Sequence, residues 1–251
     1  MNREATGLAG ARHIAYDILG STNVEALARA RTGERGPLWI SARAQEAGSG
    51  RRGNRWTSPP GNLYATLLLS DPSPQAAAPQ LSFVTALALH DAVCACAPHL
   101  GPALEVKWPN DLLLGAKKIA GILIEGEAGP FFAVAIGIGV NCASHPGDTS
   151  FPATDLAAAG VAVTPDVLML ALAAAMQVRL VQWQYGDGFA GIRADWLKRA
   201  AGLGQPIRVR LPEQELEGRF RGLDGAGRLE LERPEGLMTV AAGDVFPLGG
   251  R

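Results

Sequence analysis

The sequence predicts an α+β protein that ends in a small all-β unit, and three observations support this fold class. Short strand-like runs alternate with helical segments over roughly the first 200 of the 251 residues. One long helix has a clear start signal. Residues 205–248 consist of short alternating runs separated by turns, which is typical of a small β-barrel. We therefore predict two domains, residues 1–202 and 203–251.

Seven strands are predicted in the first domain, because each is a short run that is apolar or alternates polar and apolar residues. They cover residues 13–19, 38–44, 63–69, 104–108, 112–114, 117–125 and 131–140. Pro109 ends the fourth strand, since proline cannot donate to a strand ladder. Gly115 and Ala116 form a two-residue connection between the next two strands, which predicts a hairpin.

Five helices are predicted, and the clearest begins at Thr164, Pro165 and Asp166. These residues supply a cap, a fixed first turn and an acid near the positive end of the helix, and the helix runs to about residue 183. The other predicted helices cover residues 22–31, 79–97, 154–160 and 189–200. The helix at 22–31 begins at the polar segment 21–23, which offers capping oxygens.

Composition and charge exclude several classes of protein. With 23 basic and 24 acidic residues the net charge is -1, so the overall balance does not attract nucleic acid or membranes. Hydrophobic residues make up 47 %, which excludes a disordered chain. No signal-type apolar stretch opens the sequence, and the longest uncharged helical run, residues 167–178, is too short to cross a bilayer. We expect a soluble, cytoplasmic protein without a membrane partner.

A glycine- and arginine-rich segment follows the second strand, and its residues 48–53 match the pattern G-x-G-x-x-G. A dinucleotide site needs a helix directly after the glycines. Here Pro59 and Pro60 follow, so we disfavour a nicotinamide-dependent oxidoreductase. Arg51, Arg52 and Arg55 place three guanidiniums within five residues, which suits a phosphate or an adenylate. On this segment alone, a solvated surface loop is an equally good interpretation.

A second polar motif, Lys-Trp-Pro-Asn-Asp, occupies residues 107–111 and is followed by an apolar strand that begins with Lys117 and Lys118. Lysine is costly to bury without a partner. We therefore expect at least one of the two lysines at the solvent end of the hairpin.

Four segments, taken in order, resemble the biotin–protein ligase family in its short form, which lacks an N-terminal DNA-binding domain. They are residues 21–23, 45–56, 107–111 with 118–123, and 136–141. The resemblance covers nearly the whole chain from about residue 13. It implies a mixed β-sheet covered by helices, related to the class II aminoacyl-tRNA synthetase core, and a C-terminal SH3-like β-barrel.

The resemblance also implies a two-step reaction. Biotin and MgATP first give biotinyl-5′-adenylate and pyrophosphate, and a lysine on the biotin carboxyl carrier domain of a biotin-dependent carboxylase then attacks the mixed anhydride. Two anions meet in the first step, so cations must neutralise them. By resemblance the catalytic residues are Lys118, Arg51 and Asp111, and Asp111 is also the expected Mg²⁺ ligand.

The remaining site residues follow from the same resemblance. The biotin-binding positions are Ser21, Thr22, Asn23, Gln45, Ser49, Gly50, Arg51, Lys118, Gly121, Gly137 and Gly139. The positions that bind ATP or adenylate are Arg51, Arg52, Arg55, Trp56, Asn110 and Asn141. The ureido group of biotin is neutral and needs neutral donors and acceptors. The three glycines on the later strands are expected to leave room for its flat ring.

Two departures from the family pattern carry expectations. Ser49 stands where the family commonly has arginine, and we expect this position to act through its backbone N–H, so that little changes. Only 20 residues precede Ser21, too few for a winged-helix domain, so we expect no DNA binding. An edge strand of the sheet could pair with a second copy, giving a homodimer, or with the carrier.

Two alternative functions stay open. A lipoate–protein ligase shares the fold and the adenylation chemistry, although the motif at residues 107–111 favours biotin. A non-catalytic sensor of biotin or adenylate would bind the ligand without forming adenylate. Substitution of Lys118 distinguishes the enzyme from the sensor, because only the enzyme would lose adenylate formation.

Overall fold

The computed structural model describes residues 3–248, with side chains from residue 8 onward, and contains two β-sheets. The strands of the larger sheet are β1 (Arg3–Leu8), β2 (Ala11–Leu19), β3 (Leu38–Gln45), β4 (Leu63–Ser70), β5 (Leu104–Lys107), β6 (Asp111–Leu114), β7 (Lys117–Ala128) and β8 (Phe132–Val140). Their order across the sheet is β1-β2-β3-β4-β8-β7-β6-β5. Strands β2 and β3 are parallel, whereas the other neighbours are antiparallel, so the predicted mixed sheet is confirmed.

Helices cover both faces of this sheet. Within the described residues the α-helices are α1 (Thr22–Arg31), α2 (Leu81–Cys96), α3 (Pro165–Trp183) and α4 (Phe189–Leu197). Helix α1 shares an apolar cluster with Leu38 and Ile40 on one face, whereas α2, α3 and α4 pack with Trp39 and Leu67 on the other face. Side chains alternate between the two faces of a strand, so consecutive residues of β3 and of β4 pack against different helices.

The C-terminal sheet consists of short antiparallel strands, as the alternating runs predict. They are β9 (Pro206–Arg210), β10 (Glu215–Leu223), β11 (Leu229–Arg233), β12 (Gly236–Val240) and β13 (Asp244–Pro247). The order is β12-β11-β10-β9-β13, which agrees with an SH3-like unit. The predicted boundary at 202–203 falls in the turns between α4 and β9. Residues 1–2 and 249–251 of the two predicted domains lie outside the described residues.

The two parts of the chain are joined by direct contacts near the Trp-Pro corner. Nε1 of Trp108 donates a hydrogen bond to the carbonyl oxygen of Gly227 at 3.1 Å. Trp108 is only 2 % exposed. Because an indole N–H needs an acceptor when it is buried, this bond fixes the C-terminal sheet against the first domain.

Three predictions about individual elements are corrected. Residues 154–160 form turns rather than a helix. The backbone bonds there span three residues, as from the N–H of Gly160 to the carbonyl oxygen of Ala157, and Gly160, with a φ of +79°, ends the segment in a conformation that a helix cannot continue. Strands β1 and β13 have no counterpart in the predicted set. Both lie at sheet edges, where the apolar alternation that reveals buried strands is weak.

One helical segment, residues 165–186, is long and apolar enough to cross a bilayer, judged by length and composition alone. It extends beyond the uncharged run 167–178 on which the sequence prediction was based. Its cap is as predicted, since the side-chain oxygen of Thr164 accepts from the N–H of Val167 at 3.3 Å. The buried residues of α3 are Leu168, Met169, Leu172, Ala173, Met176 and Trp183. One face of α3 is thus packed like that of a core helix.

Candidate functional site

A cavity of about 490 Å³ lies where the N-terminus of α1, the glycine–arginine segment, strands β7 and β8, and the start of β13 meet. The predicted site residues that line it are Ser21, Thr22, Asn23, Gln45, Ser49, Gly50, Arg51, Arg55, Trp56, Asn110, Asp111, Lys118, Gly121, Gly137, Gly139 and Asn141. Arg52 does not line the cavity. Sixteen positions chosen from sequence are therefore brought together, and one lies outside.

The N-terminus of α1 forms one wall of the cavity. The backbone N–H of Thr22 donates to Oε1 of Gln45 at 2.8 Å, and its hydroxyl donates to the same oxygen at 3.1 Å. The first N–H groups of a helix have no partner within the helix. Gln45 thus fills a capping role that the sequence had suggested for the segment 21–23, and the side chain of Ser21 makes no capping bond.

Asn23 is held on both sides of its amide. Its Nδ2 donates to Oε2 of Glu125 at 2.7 Å, and its Oδ1 accepts from the hydroxyl of Thr66 at 2.6 Å. A Cβ atom on Gly137 would lie 2.4 Å from the same Oδ1, so Asn23 can occupy this position only above a glycine. Sequence reasoning missed Thr66; a lone threonine inside an apolar strand is the signal that could have found it.

The indole of Trp56 lies against the strand glycines. A Cβ atom on Gly139 would lie 2.4 Å from Nε1 of Trp56, and one on Gly121 would lie 3.0 Å from its Cζ3. These two glycines thus make room for the protein's own indole, and their role in leaving room for a ligand ring stays a prediction. Nε1 is buried and has no acceptor among the described residues. The Nζ atom of Lys118 lies 5.2 Å from the centre of the ring.

The glycine–arginine segment forms a compact turn. The N–H of Gly50 donates to the carbonyl oxygen of Asn54 at 2.7 Å. The hydroxyl of Ser49 donates to the carbonyl oxygen of Ala47 at 3.3 Å. The side chain of Ser49 thus serves the turn itself, and the turn carries Arg51 to the cavity wall.

Arg51 and Arg52 have different surroundings. Nη1 of Arg51 donates to Oδ1 of Asn110 and to the carbonyl oxygen of Gly243, each at 3.3 Å. Burial lowers the pKa of Arg51, against the opposing charge of Asp244. Arg52 turns outward and pairs with Asp244 at 2.8 Å. This pairing explains why Arg52 does not reach the cavity, and it corrects the expectation that all three arginines face the ligand.

Asp111 lies between two ammonium groups. Nζ of Lys118 is 2.6 Å from Oδ1 of Asp111, and Nζ of Lys107 is 3.5 Å from its Oδ2. Asp111 and Lys107 are 7 % and 8 % exposed, so water screens these charges little. Burial acts to raise the pKa of Asp111, but the charges of Lys118 and Lys107 outweigh it and hold that pKa below its ordinary value.

This arrangement does not fit the predicted role of Asp111 as a magnesium ligand. Both of its oxygens face ammonium groups, whereas Mg²⁺ demands a nearly octahedral set of free oxygen ligands. Across residues 3–248, no group of three or more His, Cys, Asp or Glu side chains is placed to hold a metal.

Sequence reasoning missed two parts of the cavity lining. One is the loop after β8, which contributes Pro146, Asp148, Thr149, Ser150, Phe151 and Ala153; the other is Asp244 at the start of β13. The loop is fixed by the backbone of Lys118, whose N–H donates to the carbonyl oxygen of Pro152 at 2.7 Å. Asn141 adds a bond from its Nδ2 to the carbonyl oxygen of Thr154 at 3.0 Å. These contacts join segments that are distant in the sequence, so no local sequence pattern predicts them.

Comparison with known families identifies the chain. Residues 22–141 match the Biotin/lipoate A/B protein ligase family, and residues 202–246 match the Biotin protein ligase C terminal domain. The chain is 45 % identical to a biotin–[acetyl-CoA-carboxylase] ligase of Paracoccus denitrificans, over 90 % of this chain and 96 % of that protein. A Mycobacterium tuberculosis protein of the same name is 35 % identical over 91 % and 86 %. The chain belongs to the biotin–protein ligase family.

Solved structures support the same fold. A biotin protein ligase from Aquifex aeolicus in complex with biotin and ATP has a TM-score of 0.79 at 23 % identity, covering 93 % of this chain and 97 % of that one. A biotin protein ligase from Leishmania major in complex with biotinyl-5-AMP has a TM-score of 0.62 at 26 % identity, covering 91 % and 98 %. The predicted core with a C-terminal SH3-like unit is thereby confirmed.

Proposed function

We propose that the protein is an ATP-dependent biotin–protein ligase that forms biotinyl-5′-adenylate and then transfers biotin to a lysine of a biotin carboxyl carrier domain. The observation that supports this proposal most strongly is that Arg51 and Lys118 line the same cavity. They lie on separate segments of the chain, and the reaction needs both cations at one anionic centre. Had they faced opposite sides of the sheet, the proposal would have failed.

In the first step, a carboxylate oxygen of biotin attacks the α-phosphorus of MgATP, and the bond from that phosphorus to the leaving pyrophosphate breaks. Negative charge builds up on the carboxylate and phosphate oxygens. The compact ammonium of Lys118 can contact both groups, while the planar guanidinium of Arg51 can hold two phosphate oxygens at once. Arg55 adds positive charge at the cavity wall.

The neutral polar side chains of the cavity suit the ureido group of biotin. Ser21, Thr22 and Gln45 offer hydroxyl and amide groups without net charge. Asn23 is oriented by Glu125 and Thr66, so its position is set before any ligand arrives. We assign the nucleotide to the part of the cavity lined by Trp56, Asn110 and Asn141, where aromatic and amide groups can contact the base and ribose.

In the second step, the amine of the carrier lysine attacks the carbonyl carbon of the adenylate, an amide bond forms, AMP leaves and the nitrogen loses a proton. The carrier must reach the mixed anhydride, so it docks over the open side of the cavity. We place this reaction in the cytoplasm. Lipoate is the alternative substrate, because the matching family includes lipoate ligases.

The experiment that tests the proposal mixes the protein with biotin, MgATP and a purified carrier domain, and measures the carrier by mass spectrometry. We expect the mass to rise by one biotin minus water, on a single lysine. Replacement of biotin by lipoate should give no modification. Lys118→Ala should abolish adenylate formation, whereas Lys117→Ala, at an exposed neighbouring position, serves as the matched control. Unmodified carrier with the parent enzyme would refute the proposal.

A further inference from the structure

Lys107 belongs to the second sequence motif, yet the proposed reaction does not use it. It is the last residue of β5 and lies directly opposite Asp111 on β6. Its side chain is buried and does not line the cavity. A buried lysine is costly unless it is paired. The side chain must therefore act through the groups that it touches.

Those groups are Asp111 and Phe151. The Lys107 ammonium lies 3.5 Å from Oδ2 of Asp111 and 4.5 Å from the centre of the Phe151 ring. Carboxylate and aromatic face both stabilise a cation, so the ammonium is held in place on two sides. Lys107 thus has a fixed position next to one oxygen of Asp111, while Lys118 occupies the other oxygen.

The two lysines differ in their freedom to move. The side chain of Lys118 is 25 % exposed and lines the cavity, whereas that of Lys107 is 10 % exposed. For the reaction, Lys118 must contact the substrate, which weakens its contact with Asp111. A buried carboxylate left without a counter-ion is strongly unfavourable. Without a second cation, Asp111 would therefore hold Lys118 back.

We propose that Lys107 is a positioning residue for adenylate formation: it neutralises Asp111, so that the Lys118 ammonium is free to move to the biotin carboxylate and the α-phosphate. The inference rests on the proposed function. Charge counting supports it, since two ammonium groups share one carboxylate and one positive charge is left for the substrate. The charge of Lys107 also helps to keep the pKa of Asp111 low, together with the larger effect of Lys118 and against burial, which raises that pKa.

The test measures biotin-dependent exchange of pyrophosphate into ATP, giving kcat and the KM for biotin, together with the melting temperature. We expect Lys107→Met to lower kcat by about tenfold or more with the KM for biotin nearly unchanged. Lys107→Arg keeps the charge and should restore most of the rate. Lys117→Met, an exposed lysine on the same hairpin, is the matched control and should behave like the parent.

A double-mutant cycle separates this role from a structural one. In an Asp111→Asn background there is no carboxylate to neutralise, so adding Lys107→Met should change kcat by less than about twofold. This comparison also carries the test if the single Lys107→Met variant does not fold. The proposal is overturned by unchanged kcat in Lys107→Met, by equal losses in both backgrounds, or by a fall in melting temperature alone. A parent enzyme without exchange activity would instead refute the proposed function, and this inference with it.

Discussion

Oδ2 of Asp244 accepts a hydrogen bond from Nη1 of Arg52 at 2.8 Å, which ties the C-terminal sheet to the glycine–arginine segment. The other oxygen of Asp244 lies 3.7 Å from Arg51. A single carboxylate of the second domain thus pairs with two neighbouring arginines of the first domain. The position of the segment at the cavity rim therefore depends on Asp244, which comes 192 residues after Arg52 in the sequence.

This contact predicts that Asp244→Asn loosens the segment in the ligand-free enzyme. The pair is partly exposed, so its contribution is modest, of the order of 1 kcal/mol or less. We expect trypsin to cleave after Arg51, Arg52 or Arg55 about three- to fivefold faster in the variant, because local opening becomes more frequent. The measurement is the rate of the first cut, followed by mass spectrometry at a low trypsin concentration.

Asp224→Asn is the control for this experiment. Asp224 is also in the C-terminal sheet region and also pairs with an arginine, Arg228, at 2.6 Å, but its side-chain hydrogen bonds go to residues 226 and 228 of its own turn rather than to the segment. Its loss should leave the rate of cleavage at the segment unchanged. Equal cleavage rates in Asp244→Asn and the parent would show that the ion pair does not hold the segment.

The second prediction concerns retention of the adenylate. Arg51 lines the cavity and its guanidinium is held beside Asn110, whereas Arg52 points away from the cavity. Arg51→Gly should therefore keep measurable biotin binding but shorten the half-life of bound biotinyl-adenylate by about tenfold or more, because charge-assisted bonds to phosphate are lost. Rapid filtration of enzyme with radiolabelled adenylate measures this half-life.

Arg52→Gly provides the comparison for this prediction. It removes a guanidinium from the same turn, but one that pairs with Asp244 rather than facing the cavity. Its effect on adenylate retention should be clearly smaller than that of Arg51→Gly. The same half-life in both variants would show that Arg51 does not hold the adenylate phosphate.

Much of the fold could be predicted from the sequence because its strong signals are local. Three of these signals act through neighbouring residues and lie at the boundary of an observed element. They are the cap at Thr164, where a helix starts, the proline after Trp108, and the two-residue turn at 115–116. The cavity residues followed from the resemblance of four segments to the biotin–protein ligase family, and the structure brings sixteen of those positions to one cavity.

The parts that could not be predicted depend on contacts between distant segments. Strand β13 is short and ends in proline, so its pattern is weak, yet it supplies Asp244. The position of the Trp56 indole depends on Gly139, far along the chain, and sequence alone does not reveal which of many partners an aromatic side chain will contact.

The third prediction follows from the contact between Trp56 and Gly139. Gly139→Ala places a methyl group where the indole lies, so the ring must move or the strand must shift, at a cost of about 1–3 kcal/mol. We expect weaker biotin binding by about tenfold, measured by calorimetry, and a change in tryptophan emission. Gly129→Ala is the control, since its nearest neighbour atom would be 3.9 Å away. Unchanged biotin affinity in Gly139→Ala would mean that the cavity tolerates the displaced ring.

The last prediction tests whether the two domains are held together at the Trp108–Gly227 contact. Gly227 has a φ of +83°, which L-residues rarely adopt, and a Cβ atom there would lie 2.8 Å from the ring of Phe83. Gly227→Ala should therefore lower the free energy of unfolding by about 2 kcal/mol or more, measured by urea denaturation. Gly225→Ala lies in the same turn, and a Cβ atom there would have no neighbour within 4 Å, so it should change stability by less than about 0.5 kcal/mol.

Because the contact joins the domains, the destabilised variant should also show the C-terminal sheet losing hydrogen-exchange protection before the large sheet does. Simultaneous loss of protection in both sheets would instead mean that the domains unfold as one unit, so that weakening this contact does not let the C-terminal sheet unfold by itself.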